Sequence, residues 1–314
     1  FINISSPAQD YKLGLKNTIN PEELQLKVGP DTAPDIYYIV LDSYTSSKSL
    51  KEFWNYDNSE FTDYLKSKGF YIAEDSKSPY PYTNISIPST LNMSYIYQGT
   101  DWKKLLKYSI VINLLTSNGY DFINFSLFDI GTQEKYYIFP DSGNYPSVIF
   151  NKTIPATIIN RILERQMGDI NLEIFSKIKE ISSSKHKKPV LVYGHLMMPH
   201  AFYLFDEHGN RMPETYFSDI YDKNKYLKQL IFTNKLAIDC VETILSKSVN
   251  KPIIIIKGDH GARIFKSPGE EDTYKKEAFS IFNAYYLPDG GNKLLYSSIS
   301  QVNDFRIIFN YYFH

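Results

Sequence analysis

Apolar positions along the chain fall into two kinds of run. Short uninterrupted ones of strand length occur at "DIYYIVLD" (35–42), "KPVLVYGHLMMPH" (188–200), "KPIIIIKGDHG" (251–261) and "SIFNAYYLP" (280–288). Longer stretches show the three-to-four spacing of a helix face. These are "SSKSLKEFW" (46–54), "NSEFTDYLKSKGF" (58–70), "NISIPSTLNMSYI" (84–96), "TIINRILERQ" (157–166), "NLEIFSKIKEISS" (171–183), 221–248 and "QVNDFRIIFNYYF" (301–313). "YIAEDSKSPYPYT" (71–83) reads as a strand into a Pro-rich turn, and "IVINLLTSNGYDFINFS" (110–126) as helix, Gly stop and strand. Asn58, with acidic residues in the turn that follows, is the expected N-cap of its helix.

Strands alternate with helices, and several strands are apolar on both faces. The expected fold is α/β: a mostly parallel central sheet with helices on both faces. Residues 1–34 carry breakers and little periodicity and read as an extended lead-in or linker. Residues 35–314 are enough for one large α/β domain or two smaller ones. Ligands of such sheets bind beyond the carboxyl ends of the strands, so the strand ends are where chemistry is expected.

Composition changes the picture little. Of 314 residues, 43% are hydrophobic and 22% charged, with a formal net charge of −1. This is a globular composition with no bulk attraction to nucleic acid or an anionic membrane. No apolar run reaches the roughly 20 residues of a membrane span. The single cysteine, Cys240, lies in a helical stretch and reads as a buried, inert thiol, so no intrachain disulfide is available to report on compartment.

Three strands end in groups able to hold a metal: Asp42 after the first, His195 and His200 after the second, Asp259 and His260 after the third. Each has a plainer reading. Asp42 suits a helix N-cap, Thr83 suits another, His195 a core histidine and His200 a loop residue. Asp259-His260 resists that treatment. A carboxylate at the end of four isoleucines is costly to bury unless paired or bound to a cation. Gly258 and Gly261 on its flanks permit tight turns and close approach. Two Asp, a hydroxyl and one or more His at one sheet edge suit a divalent cation with mixed oxygen and nitrogen ligands. Such a cation favours the alkoxide of a Thr, and a helix beginning at Thr83 offers N–H donors to a phosphate.

"YYIVLDSY", "SPYPYTNISIPSTLNM", "HLMMPHAFYLFDEHG", "IIIIKGDHGAR" and "FNAYYLP" together resemble the alkaline phosphatase/sulfatase superfamily. The likeness is to sulfatase-like hydrolase and transferase domains of bacterial membrane proteins. It runs in order from about Asp35 to the C-terminus. The resemblance implies an alkaline-phosphatase-like fold and a metal site of Asp42, Thr83, Asp259 and His260 holding Zn or Mn. It makes Thr83 the nucleophile and sets His200 by the substrate or a second metal. His195, Asp206 and His208 are candidates for that second metal or for substrate. Lys257 and Arg263 are candidates for a phosphate, Arg263 equally for a structural ion pair. The Cys/Ser-x-Pro-x-Arg motif of formylglycine sulfatases is missing around Thr83, so that route is not expected.

The implied activity is metal-dependent transfer of a phosphoethanolamine- or glycerolphosphate-like group. It would run from a phospholipid to a cell-envelope acceptor through phospho-threonine, outside the cytoplasmic membrane. The membrane tether would lie in a segment not in this chain. A phosphodiesterase or phosphatase using water is the alternative. A non-catalytic glycan- or partner-binding domain, stacking on the aromatics of "KYYIF", "AFYLF" and "NAYYLP", is another.

Overall fold

The computed structural model describes residues 33–97, 99–133, 154–212 and 220–313, with 154–166 as backbone alone. The expected lead-in, except its last two residues, and "KYYIF" (135–139) lie outside the described residues.

Among the described residues six strands form one sheet: β1 Ile36–Leu41, β2 Tyr71–Ile72, β3 Asp121–Phe125, β4 Val190–Leu196, β5 Ile253–Lys257 and β6 Asn283–Tyr286. Their spatial order is β2-β6-β5-β1-β4-β3. The four strands β3, β4, β1 and β5 pair in parallel, and β6 joins β5 antiparallel. Alternation along β1 shows why its run is unbroken. Ile36, Tyr38 and Val40 enter one core cluster, whereas Tyr37, Ile39 and Leu41 enter the other. Both faces are therefore covered, as the continuous apolar strands require.

Helices α1 Ser47–Trp54, α2 Ser59–Ser67, α6 Ile154–Ser182 and α7 Lys223–Lys247 carry the second of these clusters. On the opposite face lie α3 Thr83–Leu91, α5 Ile110–Ser117 and α9 Asp304–Tyr312. The two helices expected at 157–166 and 171–183 are one continuous α6. The chain also forms α4 Trp102–Lys107 and α8 Glu271–Phe279, which the apolar spacing did not reveal because they bury only Leu106 in the first and Glu277 and Ala278 in the second.

Asn58 does not cap α2 through its side chain. Its amide is buried and bonds to Tyr44 and Asn234, tying α2 to α7, while Asp57 accepts from the Ser59 N–H at 3.0 Å. Among the described residues no helix is long and apolar enough to cross a membrane.

Candidate active site

The register sets the site. β4, β1 and β5 are adjacent and parallel, so their carboxyl ends bring His195, Asp42 and the Asp259-His260 pair to one edge. The Asp42 N–H still bonds to Leu196 O at 2.9 Å, after which Ser43, at φ 62°, turns the chain away. That turn directs the Ser43 N–H to Asp259 Oδ1 at 3.0 Å, and the His260 N–H reaches the same oxygen at 3.0 Å.

The glycines flanking Asp259-His260 are required by the backbone around them. A Cβ on Gly258 would lie 2.2 Å from the Tyr44 carbonyl oxygen, and one on Gly261 1.7 Å from that of Glu277. Side chains there would drive into main chain, and main chain cannot move aside. The loop is further held by Glu277. Its carboxylate accepts from the N–H groups of Ala262 at 3.0 Å and Arg263 at 2.8 Å. Burial pushes the Glu277 carboxyl up to about 7 against these hydrogen bonds.

Asp42, Asp259 and His260 converge, one ligand atom from each lying within 4.8 Å of the others, and all three are buried. The His260 Nδ1 lies 2.8 Å from Gly261 O. That contact places the proton on Nδ1 and turns the Nε2 lone pair inward, 3.6 Å from Asp42 Oδ1 and 3.4 Å from Asp259 Oδ2. Burial lowers the His260 pKa, although both carboxylates oppose the shift. Burial alone would raise the Asp42 carboxyl. The facing imidazoles of His200, His195 and His260 instead hold it well below the usual carboxylate range. Asp259 Oδ2 is buried without a hydrogen-bond partner. Two carboxylates, an inward imidazole lone pair and an orphaned oxygen fit a divalent cation of the zinc or manganese type.

Thr83 is the first residue of α3 and is half-buried. Its Oγ1 lies 3.2 Å from His260 Nε2 and 3.4 Å from Asp42 Oδ2. No side chain caps the start of α3. The N–H groups of Ile85 and Ser86 bond to Tyr82 O at 3.2 and 2.9 Å, which leaves those of Thr83 and Asn84 at the helix start, where an anion is favoured.

His195 is fully buried, with Nε2 3.2 Å from Asp42 Oδ2 and Nδ1 3.0 Å from the Tyr193 hydroxyl. The Tyr193 O–H donates to Nδ1, which fixes the other proton on Nε2 and aims it at Asp42. His195 thus positions Asp42. His200 is half-buried, and its Nδ1 contacts the Ala201 carbonyl oxygen.

Three candidate residues are used elsewhere. Asp206 builds its own turn, accepting from the N–H groups of His208 at 2.9 Å and Asn210 at 2.8 Å, and His208 is exposed. Neither joins the buried metal-capable group, the only one of its kind among the described residues. Lys257 is corrected outright. Its ammonium donates to Asp304 at 2.7 Å, both side chains being fully buried, so it is closed to a phosphate. Arg263 makes no ion pair among the described residues; its guanidinium lies 5.1 Å over the Tyr82 ring. Cys240 is buried in α7, and burial pushes its thiol up to about 12.

Ser43, Tyr193 and Glu277 had not been singled out. Ser43 follows Asp42 directly, and its Oγ donates to Asp42 Oδ1 at 3.1 Å. Tyr193 precedes His195 by two, the spacing of one face of a strand. These two carried a signal in their spacing. Glu277 carried none.

This edge of the sheet, with a Thr at a helix start facing an Asp-Asp-His group, is the decisive arrangement. A sequence model of the sulfatase family matches residues 34–303. The chain belongs to the sulfatase family. No curated protein matches it by sequence.

Among solved structures, the C-terminal periplasmic domain of EcEptC from Escherichia coli aligns with TM-score 0.58 at 12% identity, covering 89% of this chain and 82% of that one. The corresponding domain of phosphoethanolamine transferase EptC from Campylobacter jejuni aligns with TM-score 0.50 at 13% identity, covering 87% and 86%. The integral membrane lipooligosaccharide phosphoethanolamine transferase A of Neisseria meningitidis aligns with TM-score 0.50 at 12% identity. There 95% of this chain is covered and 59% of the other. At these identities the likeness is one of fold. Membership makes the chain an enzyme of the sulfatase family.

Proposed function

We propose that this sulfatase-family chain transfers a phosphoryl-linked group from a phospholipid donor to a hydroxyl of a cell-envelope acceptor, through a phospho-threonine at Thr83. The carrying observation is the Thr83 hydroxyl, set at the start of α3 within 3.2 Å of His260 Nε2 and 3.4 Å of Asp42 Oδ2. Asp42, Asp259 and His260, with Thr83 Oγ1, would hold a zinc or manganese ion. When bound, that ion neutralises charge on the phosphoryl oxygens and eases ionisation of the hydroxyl.

Thr83 Oγ1 forms the new bond to phosphorus as the ester bond to the diacylglycerol oxygen breaks. The hydroxyl proton leaves by way of the site's bases, and the diacylglycerol oxygen departs as an alcohol. His200, at the open side of the site, moves that proton. In the second half, the acceptor hydroxyl attacks phosphorus, the Thr83–phosphorus bond breaks, and Thr83 is reprotonated. His195 acts through Asp42, and the N–H groups at the start of α3 bind the phosphoryl oxygens. We place this work outside the cytoplasmic membrane, on a domain tethered through another segment. The periplasmic domains of similar fold support that placement.

The test is incubation with zinc or manganese and vesicles of phosphatidylglycerol or phosphatidylethanolamine, followed by mass spectrometry of Thr83 and measurement of diacylglycerol. The expected result is a modified Thr83 in the parent and no diacylglycerol from Thr83→Ala, a loss of at least roughly a thousandfold. Product formation that survives Thr83→Ala would sink the nucleophile. Free headgroup phosphate released together with diacylglycerol over many turnovers, with modified Thr83 still present, would make water the acceptor and the protein a hydrolase.

A further inference from the structure

A pocket of 260 Å³ opens beside the buried cluster. Ser43 and His200 form the wall nearest the metal-capable residues, and Tyr221, Tyr226, Arg263 and Lys266 form the rest that matters here. It is large enough for a small polar headgroup and too small for a sugar chain.

Its charge is one-sided. The guanidinium of Arg263 lies 5.1 Å from the Tyr82 ring, next to the nucleophile in sequence. The Lys266 ammonium lies 5.3 Å from the Tyr221 ring and 5.9 Å from that of Tyr274. The Tyr221 face, which lines the pocket and could hold a substrate ammonium, is already occupied by the chain's own Lys266. No described lining residue is Asp or Glu. The nearby Glu277 is fully buried beneath the loop and turned to the backbone N–H groups of Ala262 and Arg263.

Two tyrosine hydroxyls in the wall are also committed. That of Tyr226 donates to Ser43 O at 2.9 Å and that of Tyr203 to Ile220 O at 2.9 Å. Arg263 is different. It sits at φ 55°, a conformation an L side chain rarely takes, and Glu277 holds it there. Its Nε is buried with no hydrogen-bond partner. A cation fixed in an unusual backbone conformation, with a donor left open, suits an oxygen-rich guest.

We propose that this pocket receives the donor headgroup and selects one without a positive charge, a phosphoglycerol headgroup over phosphoethanolamine, with Arg263 and Lys266 as the selecting residues. The proposal rests on the transferase reading above and narrows its donor. An ethanolammonium in the pocket would face two cations with no described carboxylate to offset them, and like-charge juxtaposition of this kind is a strong source of discrimination. A glycerol moiety presents hydroxyl oxygens to the guanidinium and carries no such penalty.

Two measurements test it. The first is calorimetric binding of sn-glycerol 1-phosphate and of O-phosphoethanolamine to metal-loaded Thr83→Ala protein, which binds without turnover. The second is diacylglycerol release by the parent from phosphatidylglycerol against phosphatidylethanolamine vesicles. A preference of roughly tenfold for the glycerol compound is expected in both. Lys266→Glu, an exposed change that leaves folding intact, should cut the preference to about threefold or less, and Arg263→Gln should weaken glycerol phosphate binding further. Equal or reversed preference, no binding of either phosphoester, or a preference untouched by Lys266→Glu overturns the assignment. The two readings fail separately. Faster release from phosphatidylethanolamine defeats the headgroup selection and leaves transfer standing. Headgroup preference in binding, with no diacylglycerol from either lipid, defeats transfer and leaves the pocket standing.

Discussion

Two ionic groups are buried within two residues of each other at the end of β5, and they are built on opposite plans. The first is closed. The Lys257 ammonium meets Asp304 at 2.7 Å, and the hydroxyls of Tyr38 at 3.1 Å and Tyr285 at 2.5 Å donate to the same carboxylate. One positive charge faces one negative charge, and both Asp304 oxygens are satisfied. The second is open. Asp42 and Asp259 share a site in which His260 is held toward its neutral form by burial, and one carboxylate oxygen has no partner. A closed group needs nothing further, and it ties the end of β5 to α9. An open one carries surplus negative charge that only a cation relieves. This contrast, more than any single distance, separates the residues that hold the sheet together from those that do chemistry.

The sharpest way to break the comparison is to remove one acid from each group. Asp304→Ala strands a buried ammonium and should cost about 3–5 kcal/mol of stability, read from urea denaturation. Asp259→Asn removes repulsion from the metal-free protein. It should leave that protein as stable as the parent or more so, while metal retained after dialysis, measured by elemental mass spectrometry, falls at least roughly tenfold. A severe loss of stability in metal-free Asp259→Asn beside a mild one in Asp304→Ala would reverse the assignment of the two groups.

Sequence and structure meet unevenly across these groups. The sheet was legible because β1, β4 and β5 are apolar on both faces, and their polar last residues marked the working edge. Asp42, Thr83, Asp259 and His260 stand together because parallel neighbours must end at the same side. Lys257 misled for a physical reason. It precedes Asp259 by two, so it looked like part of the site, yet its partner Asp304 comes from a helix 47 residues on, and sequence spacing does not report that pairing. Asp206 and His208 were candidate ligands through the family resemblance, whereas a tight turn consumes the carboxylate. The role of Glu277 was beyond reach for the same reason as that of Asp304: only the folded backbone brings it beneath residues 261–263.

Glu277 stands between the two plans, since it is a buried acid satisfied by N–H dipoles in place of a countercharge. Its folded-state pKa of about 7 lies above the ordinary carboxylate value of 4.5. The folded state therefore binds more protons than the unfolded state between those values. Its stabilising contribution is fully present below about pH 4.5 and is lost as pH rises through about 7, by at most about 3 kcal/mol. Stability of the parent minus that of Glu277→Gln, followed from about pH 5 to 8, should fall across that range. A flat difference would mean that the carboxylate stays ionised throughout and that its two N–H donors suffice.

The smallest change sharpens the comparison most finely. Tyr193 and His195 belong to the open group by contact and to the core by burial, as both are fully enclosed in β4. Tyr193→Phe removes one hydroxyl and keeps the packing. The His195 Nδ1 then loses its donor, so the imidazole no longer has a fixed tautomer, and the proton on Nε2 ceases to be assured to Asp42. Thermal stability should move little, by about 1 kcal/mol. Metal affinity and kcat should each fall about tenfold with KM for the donor unchanged, because the effect reaches the reaction only through Asp42. A variant that loses stability while keeping metal affinity and kcat would place Tyr193 and His195 with Lys257 and Asp304. In that case the open group would end at Asp42, and the core would begin one residue pair nearer the nucleophile.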